Sequence, residues 1–254
     1  MTIFVLKLIA IITMLIDHIG AVLLRSNADL YWPARTIGRI AFPIFVFMLV
    51  EGFHHTGNIR KYLTRLGIFA LISELPFDVA LYNYFTNRNF VADLKGSFTD
   101  TATLNLFLEN IFSQQNVFFT LFLGLFTIYC ISMIENKFKK EVLLSNLFNA
   151  LITMGFCFAA VILRTDYNMK GILLIVAFYL FRGSKIMITV CLLIIIGTFY
   201  PSSNGNLNIE TFALLGMIPI AFYKGKKGKN IKYFFYIFYP AHLLILWMIS
   251  NYLV

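Results

Sequence analysis

The chain of 254 residues is 59% hydrophobic and only 13% charged, and its mean hydropathy is +0.79. Because a soluble domain carries about twice that charged fraction, the composition excludes a soluble globular protein and indicates an integral membrane protein. The formal net charge of +9 does not require nucleic acid as a partner, since an excess of Lys and Arg in the loops on one side of a lipid bilayer accounts for it.

Nine apolar runs predict an all-α fold, a polytopic membrane bundle of about nine helices that forms a single domain over residues 1–254. Eight to ten helices fit the same pattern, because several runs are shorter than the ~20 residues that a perpendicular helix needs. The sixth and seventh runs are separated by residues 182–185 and predict either a hairpin or one broken helix. The runs cover residues 3–24, 37–53, 62–82, 116–134, 145–163, 171–181, 186–200, 209–223 and 232–253.

The connection of residues 83–115 is the longest between two apolar runs. Its part from Leu104 to Phe112 has apolar residues at helical spacing. This pattern predicts a helix that lies along the membrane interface.

Motifs for metal binding and for a serine or cysteine nucleophile are absent from the sequence. Cys130, Cys157 and Cys191 lie singly in apolar runs, without Cys-x-x-Cys or Cys/His spacing. No Gly-x-Ser-x-Gly occurs, and no cysteine neighbours a histidine. We therefore expect neither a disulfide framework nor a metal site.

The basic residues divide unequally between the two sides of a nine-span bundle. The connections on one side hold 13 Lys and Arg and those on the other hold 7, with Lys7 inside the first run. The more basic side is expected to face the cytoplasm, with the protein in the inner (cytoplasmic) cell membrane. This orientation places the N-terminus in the cytoplasm and, with nine spans, the C-terminus outside.

Ionisable residues recur inside the predicted spans, where hydrocarbon would not host them singly. The first span carries an aspartate directly before a histidine, and such a carboxylate can orient the ring and raise its basicity. Two carboxylates four residues apart share one face of the third helix. We expect these groups to face a shared polar cavity at middle and outer depth. They are Asp17, His18, Arg39, Glu74, Asp78 and His242.

Each of these residues also has a structural alternative. The pair in the first span could hold helices together through hydrogen bonds, and Arg39 could extend to the membrane interface. The carboxylates of the third helix could form ion pairs with Arg39 or Arg164. The lysine-rich loop of residues 225–230 could set the topology or contact anionic lipid, or it could hold a phosphorylated ligand.

Six segments in a fixed order carry a resemblance that covers nearly the whole chain, from Leu6 to Leu244. They are LKLIAIITMLIDHIGAVL, GRIAFPIFVFMLVEGFHHTGN, YLTRLGIFALISELPFD, NVFFTL, DYNMKGILL and FYIFYPAHLL. Together they resemble the TraX family, which is named for F-pilin acetylation and is similar to wider membrane acyltransferases. The resemblance implies transfer of an acetyl or other acyl group from cytoplasmic acetyl-CoA (acyl-CoA) to an amine or hydroxyl at or beyond the outer side. The acceptor stays open between a pilin-like peptide amine, a glycan and a small molecule.

A transfer of this kind needs a base that takes the proton of the acceptor. We expect His18 to be that base, with Asp17 orienting its ring and stabilising the imidazolium. His242 is expected to be a second acid or base, or to line the cavity.

The same reaction needs positive charge or fixed donors for the oxyanion and cations for the phosphates of CoA. Arg39 is the expected oxyanion donor, while Glu74 and Asp78 are expected to bind an ammonium acceptor or to hold Arg39. The expected CoA-binding residues lie at the inner mouth and are Arg60, Lys61, Arg65, Lys226, Lys227 and Lys229.

Two other classes of function compete with the acyltransferase. A transporter or flippase would also carry intramembrane charges, although the sequence shows no inverted repeat. A non-catalytic subunit of a conjugation or secretion assembly would have its charges satisfied in pairs, with no cavity between them. Binding of acyl-CoA distinguishes the enzyme from both.

Overall fold

The computed structural model describes residues 1–111, 113–201, 207–226, 228–229 and 232–252. Within these ranges the chain forms twelve α-helices and one 3₁₀ segment. Phe112 and residue 253, which end two predicted elements, lie outside the described residues. The helices are α1 Ile3–Leu23, α2 Ala28–Gly38, α3 Ala41–His55, α4 Ile59–Thr86, α5 Phe90–Ser97, α6 Thr101–Ile111, α7 Val117–Lys137, α8 Val142–Ile162, α9 Asn168–Leu180, α10 Lys185–Phe199, α11 Met217–Ala221 and α12 Lys232–Tyr252, and the 3₁₀ segment is Ile209–Gly216.

The predicted helical membrane bundle is confirmed. In the described part of the chain, six helical segments are long and apolar enough to cross a membrane, counting α2 and α3 as one. The predicted runs 171–181, 186–200 and 209–223 correspond to shorter apolar helical segments of 10–17 residues. The nine predicted runs are thus all helical, but only six of them have the length of a full span.

One predicted boundary in the N-terminal half was wrong. The second helical segment begins at Ala28 rather than at residue 37, because α2 precedes a short break at residues 39–40. Polar residues such as Asp29 and Arg35 lower the hydropathy of α2, so the apolar run did not include it. Asn27 fixes its start, since the Asn27 side chain accepts a hydrogen bond from the amide of Leu30.

Two open alternatives are decided by local capping and packing. Residues 182–184 form a turn between α9 and α10, and the Ser184 hydroxyl caps α10 by accepting from the amide of Met187 at 3.3 Å. The sixth and seventh runs therefore form a hairpin. The long connection contains two short helices, α5 and α6, rather than one, and Phe107 of α6 is buried beside Tyr82 of α4.

Backbone contacts between distant segments define two ends of the bundle. At one end the N-terminal ammonium of Met1 donates to the carbonyl of Phe222 at 2.6 Å, and the amide of Ile3 donates to the carbonyl of Lys226 at 2.9 Å. We call this the basic end, because it carries the connections that are rich in lysine. At the opposite end the amide of Gln115 donates to the carbonyl of Arg164 at 3.0 Å.

The helices differ in the surface that they bury. Leu125 and Ile128 of α7 are fully buried at the centre of the bundle. On α8, by contrast, Leu143 is 87% exposed and Phe158 is 67% exposed. In a bilayer such an apolar face contacts lipid, so its exposure carries no penalty. α4 packs against α7, α12 and α1, and α1 packs against α12, so the helices from the two ends of the chain are neighbours.

Candidate functional site

Two histidines from the first and last helices lie in direct contact. Nδ1 of His18 on α1 is 2.7 Å from Nε2 of His242 on α12. Nδ1 of His242 is in turn 2.8 Å from the carbonyl oxygen of Phe238, one turn earlier on the same helix. His242 is buried, and His18 is partly buried.

This geometry fixes the neutral tautomers of both rings. A carbonyl oxygen can only accept, so Nδ1 of His242 carries a hydrogen and its Nε2 carries a lone pair. Nδ1 of His18 must then donate to that lone pair, which leaves Nε2 of His18 without a hydrogen. Among the contacts of the described residues, the pair therefore leaves one ring nitrogen, Nε2 of His18, with a lone pair and no hydrogen-bond partner, while His242 holds the other nitrogen of that ring.

Asp17 does not orient the His18 ring, contrary to the prediction. Its carboxylate pairs with two arginines, Arg35 at 2.5 Å and Arg39 at 2.7 Å. Adjacent residues of an α-helix point about 100° apart, so Asp17 and His18 face different neighbours. In the structure the ring of His18 contacts His242 instead.

The arginines belong to a small network of charges near the opposite end. The second nitrogen of the Arg39 fork contacts Glu210 of the 3₁₀ segment at 2.8 Å. Arg35 also donates to the hydroxyl of Tyr84 at 3.1 Å. The side chains of Asp17, Arg35, Arg39 and Glu210 are only 11–16% exposed. Sequence reasoning missed Arg35 and Glu210, although the spacing of four residues between Arg35 and Arg39 indicates that both arginines share one helix face.

Asp166 adds another acidic group to this region. It lies between α8 and α9 and is exposed at the surface. The protein around it still limits hydration of its carboxyl, and this effect raises the pKa of Asp166 to about 6 against the opposing attraction of Arg39. At neutral pH the group is therefore mostly ionised.

The carboxylates of α4 do not join these charges. Oε2 of Glu74 accepts from the backbone amide of Asn116 at 3.1 Å and from its side-chain nitrogen at 2.5 Å. Asn116 is the N-cap of α7, so Glu74 holds the start of that helix. Asp78 is buried, and no hydrogen bond or ion pair to it is found among the described residues.

A cavity of about 640 Å³ opens at the basic end and penetrates the bundle. Its mouth includes Lys61 and Lys229, and its far part is lined by Phe118 and Tyr239. The Tyr239 ring lies edge-on to both histidines, with its centroid 6.1 Å from that of His18 and 5.7 Å from that of His242. The cavity thus ends against a tyrosine that touches the histidine pair.

The predicted shared cavity is not formed by the predicted residues. The 640 Å³ cavity is lined by none of Asp17, Arg39, Glu74 and His242. These residues all point inward, but they divide into the charge network, the histidine pair and the cap of α7. Tyr239, which joins the pair to the cavity, was missed, although it lies one helical turn before His242 on the same face.

The predicted CoA-binding residues divide as well. Lys61, Arg65 and Lys229 line the cavity, and so does Lys7, which was not predicted for this role. Arg60 and Lys226 lie elsewhere at the basic end and do not line it, and Lys227 falls outside the described residues.

The charge network tolerates no extra atom beside Asp17. A Cβ on Gly38, at the end of α2, would overlap the carboxylate of Asp17. We expect Gly38→Ala to displace Asp17 from the arginines and to lower the free energy of unfolding by about 1–3 kcal/mol. Gly155→Ala in α8 is the matched control, because a Cβ there meets no atom within 4 Å. Thermal unfolding of both variants in one detergent tests this, and a Gly38→Ala protein as stable as the control would contradict it.

Comparison with known proteins gives two matches over almost the whole chain. The family described as "TraX protein" matches residues 3–250. A protein of Dichelobacter nodosus named "Probable fimbrial assembly protein FimC, serogroup H1" is 30% identical over 256 aligned residues, covering 96% of this chain and 93% of that protein. No solved structure matches the chain.

Proposed function

This chain belongs to the TraX family, and from that premise we propose that it is an acyltransferase that uses acyl-CoA. The acyl group passes to an amine or hydroxyl acceptor that reaches the histidine pair from the opposite end of the bundle. One observation carries the proposal: a cavity with lysines at its mouth extends to the tyrosine beside His18 and His242.

The donor side of the proposal rests on the lining of the cavity. Lys61 and Lys229 at the mouth suit the phosphates of CoA, because charge-assisted bonds to phosphate are among the strongest in proteins. The deeper walls are mostly apolar, with residues such as Met48 and Leu121. Such a wall suits the pantetheine arm and the acyl thioester. By the distribution of basic residues, this end is at the cytoplasmic side of the cell membrane, and acyl-CoA is found in the cytoplasm.

The acceptor side rests on the free nitrogen of His18. As the acceptor nitrogen or oxygen attacks the thioester carbonyl, its proton moves to Nε2 of His18. The carbon–sulfur bond then breaks, and the leaving sulfur of CoA takes up that proton. The hydrogen bond to His242 keeps the ring in place and strengthens when His18 is protonated.

Arg39 remains our candidate for stabilising the oxyanion. It donates to Asp17, to Glu210 and to the carbonyl of Arg35. Among the described residues these bonds use three of the five N–H groups of the guanidinium, and we propose that the other two serve a substrate. Glu74 is better explained as the group that holds Asn116 and the start of α7.

A second candidate function is a non-catalytic subunit of a pilus or fimbria assembly. The name of the Dichelobacter nodosus relative favours it, as do the paired charges around Asp17. The cavity argues against it, because a purely structural subunit needs no empty space with basic groups at its mouth. The test is to incubate the purified protein with radiolabelled acetyl-CoA and a membrane extract. Label in a protein, glycan or small molecule supports the enzyme. If the protein binds neither acetyl-CoA nor CoA tightly, the result supports the non-catalytic subunit.

The basic mouth gives a more specific prediction. We expect Lys61→Gln together with Lys229→Gln to weaken acetyl-CoA binding by at least about tenfold, because two charge-assisted contacts are lost. The dependence of binding on salt should decrease as well. Lys139→Gln with Lys140→Gln is the matched control, since these exposed lysines belong to the same end but do not line the cavity. Equal affinities of the two double variants would remove the mouth from the donor site.

A further inference from the structure

A second pocket of about 590 Å³ lies at the basic end beside the main cavity. The two spaces share Glu51 and Tyr223 in their walls. We call the second space the side pocket. Its other principal side chains are His54, Glu135, Tyr179, Arg182 and Lys185.

The side pocket offers a flat aromatic surface next to a carboxylate. The rings of His54 and Tyr179 are stacked, with centroids 5.6 Å apart and planes within 5° of each other. The hydroxyl of Tyr179 donates to Glu135 at 2.7 Å. An aromatic face with an adjacent hydrogen-bond acceptor is the arrangement that binds a nucleic-acid base, because the base stacks on the ring and donates from its exocyclic amine.

Arg182 and Lys185 are the basic side chains of the side pocket. Glu51 is buried and neutralised by Arg182, whose Nε lies 2.6 Å from the carboxylate. Lys185 donates to the carbonyls of Ala221 and Tyr223 at 2.7 and 3.4 Å. Glu51 is therefore not left to repel a phosphate unopposed, while the carboxylate of Glu135 accepts from the hydroxyl of Tyr179.

The lysine-rich segment runs between the two spaces. Tyr223 and Gly225 line the side pocket, whereas Gly228 and Lys229 line the main cavity. Both glycines have positive φ, near +72° and +71°, which turns the backbone at each boundary. The segment is tied to the N-terminus through the bonds of Met1 and Ile3 already described. Its described residues, 223–226 and 228–229, thus form a basic ridge between the two spaces that carries Lys224, Lys226 and Lys229.

We propose that the side pocket holds the adenine of the acyl donor, an inference that rests on the proposed function. The base stacks on Tyr179 and His54, and its amine faces Glu135. The phosphates lie along the basic ridge, and the pantetheine arm passes into the main cavity toward His18. Two spaces with a shared wall match the two halves of CoA, a charged nucleotide and a thin arm that ends in the thioester.

The test uses the full-length protein and three probes that compete with radiolabelled acetyl-CoA. They are acetyl-CoA itself, adenosine 3′,5′-bisphosphate and S-acetyl-pantetheine. We expect Tyr179→Leu to weaken acetyl-CoA and the bisphosphate about tenfold and S-acetyl-pantetheine not at all, because loss of one stacked ring costs a factor of this order. Tyr179→Phe keeps the ring and should bind the bisphosphate nearly as well as the wild type. Tyr129→Leu, a tyrosine outside both spaces, is the matched control.

The experiment distinguishes a result that contradicts the adenine site from a result that contradicts the proposed acyltransferase function. His54→Ala provides an independent reading if Tyr179→Leu fails to fold, since His54 is exposed. Unchanged bisphosphate affinity in both variants, in a protein whose wild type binds acetyl-CoA, overturns the adenine site alone. A wild type that binds neither acetyl-CoA nor the bisphosphate overturns the proposed function and the adenine site together. Bisphosphate binding that is lost in Tyr179→Leu supports the site even where no transfer is detected.

Discussion

His18→Ala is expected to lower acyl transfer by about 10²–10⁴-fold, the usual contribution of a general base. Acetyl-CoA should still bind, because the cations that hold it lie at the basic end, whereas His18 acts only on the acceptor proton. An interaction used only in the transition state changes kcat and leaves the affinity for the donor intact. Turnover per folded molecule, measured with the melting temperature and with acetyl-CoA affinity, checks the prediction.

His242→Ala separates the base from the residue that orients it. The variant keeps the free nitrogen of His18 but removes the acceptor of its Nδ1 hydrogen. We expect a smaller loss of turnover than in His18→Ala, with a shift in the pH profile, because the tautomer of His18 is no longer fixed. Normal turnover in a folded His18→Ala protein would exclude His18 as the base. An equal loss in both variants would indicate that the pair acts as one unit.

Asp17→Asn is expected to cost about 3–5 kcal/mol of folding stability, the usual result of breaking a buried ion pair. The change leaves Arg35 and Arg39 close together with one carboxylate fewer between them. Unlike an aspartate that orients a catalytic ring, Asp17 should show its effect chiefly in unfolding, and transfer by the molecules that remain folded should change less than in His18→Ala.

The matched control for Asp17 is Asp29→Asn on α2. Asp29 is exposed, so its replacement should change stability by less than about 0.5 kcal/mol. Thermal unfolding of both variants in the same detergent gives the comparison. If Asp17→Asn has the same melting temperature as Asp29→Asn and the wild type, the charge network of α1, α2 and the 3₁₀ segment does not stabilise the fold.

Hydropathy alone predicted much of the fold. The errors of that prediction have a physical cause. The nine apolar runs found every long helix, because lipid exposure requires continuous apolar sequence, as on α8. The same criterion missed α2, whose polar face holds Arg35 toward Asp17 instead of facing lipid. Run length did indicate that several runs are too short for a full span, but it did not fix helix ends that depend on caps such as Ser184.

Residue types predicted which residues belong to the candidate site better than they predicted which of these residues contact each other. His18, His242, Asp17 and Arg39 were all found, because ionisable groups stand out in apolar sequence, but the predicted pairing of Asp17 with His18 was wrong. Their pairing depends on the rotation of each helix and on which helices are neighbours, and neither can be read from spacing along one segment. The same limit explains why Lys61 lines the cavity and Arg60, one residue earlier and about 100° away, does not.

The contact between His18 and His242 joins residues that are 224 positions apart in the chain. During synthesis α1 is made well before α12, so His18 must wait for its partner. Closing so long a loop costs entropy that intermediate helices must first offset by packing. The Nδ1 hydrogen of His18 therefore gains its acceptor only once α12 has inserted. Chains that lack α12 cannot orient the proposed base, so the proposed activity requires α12 to be in place.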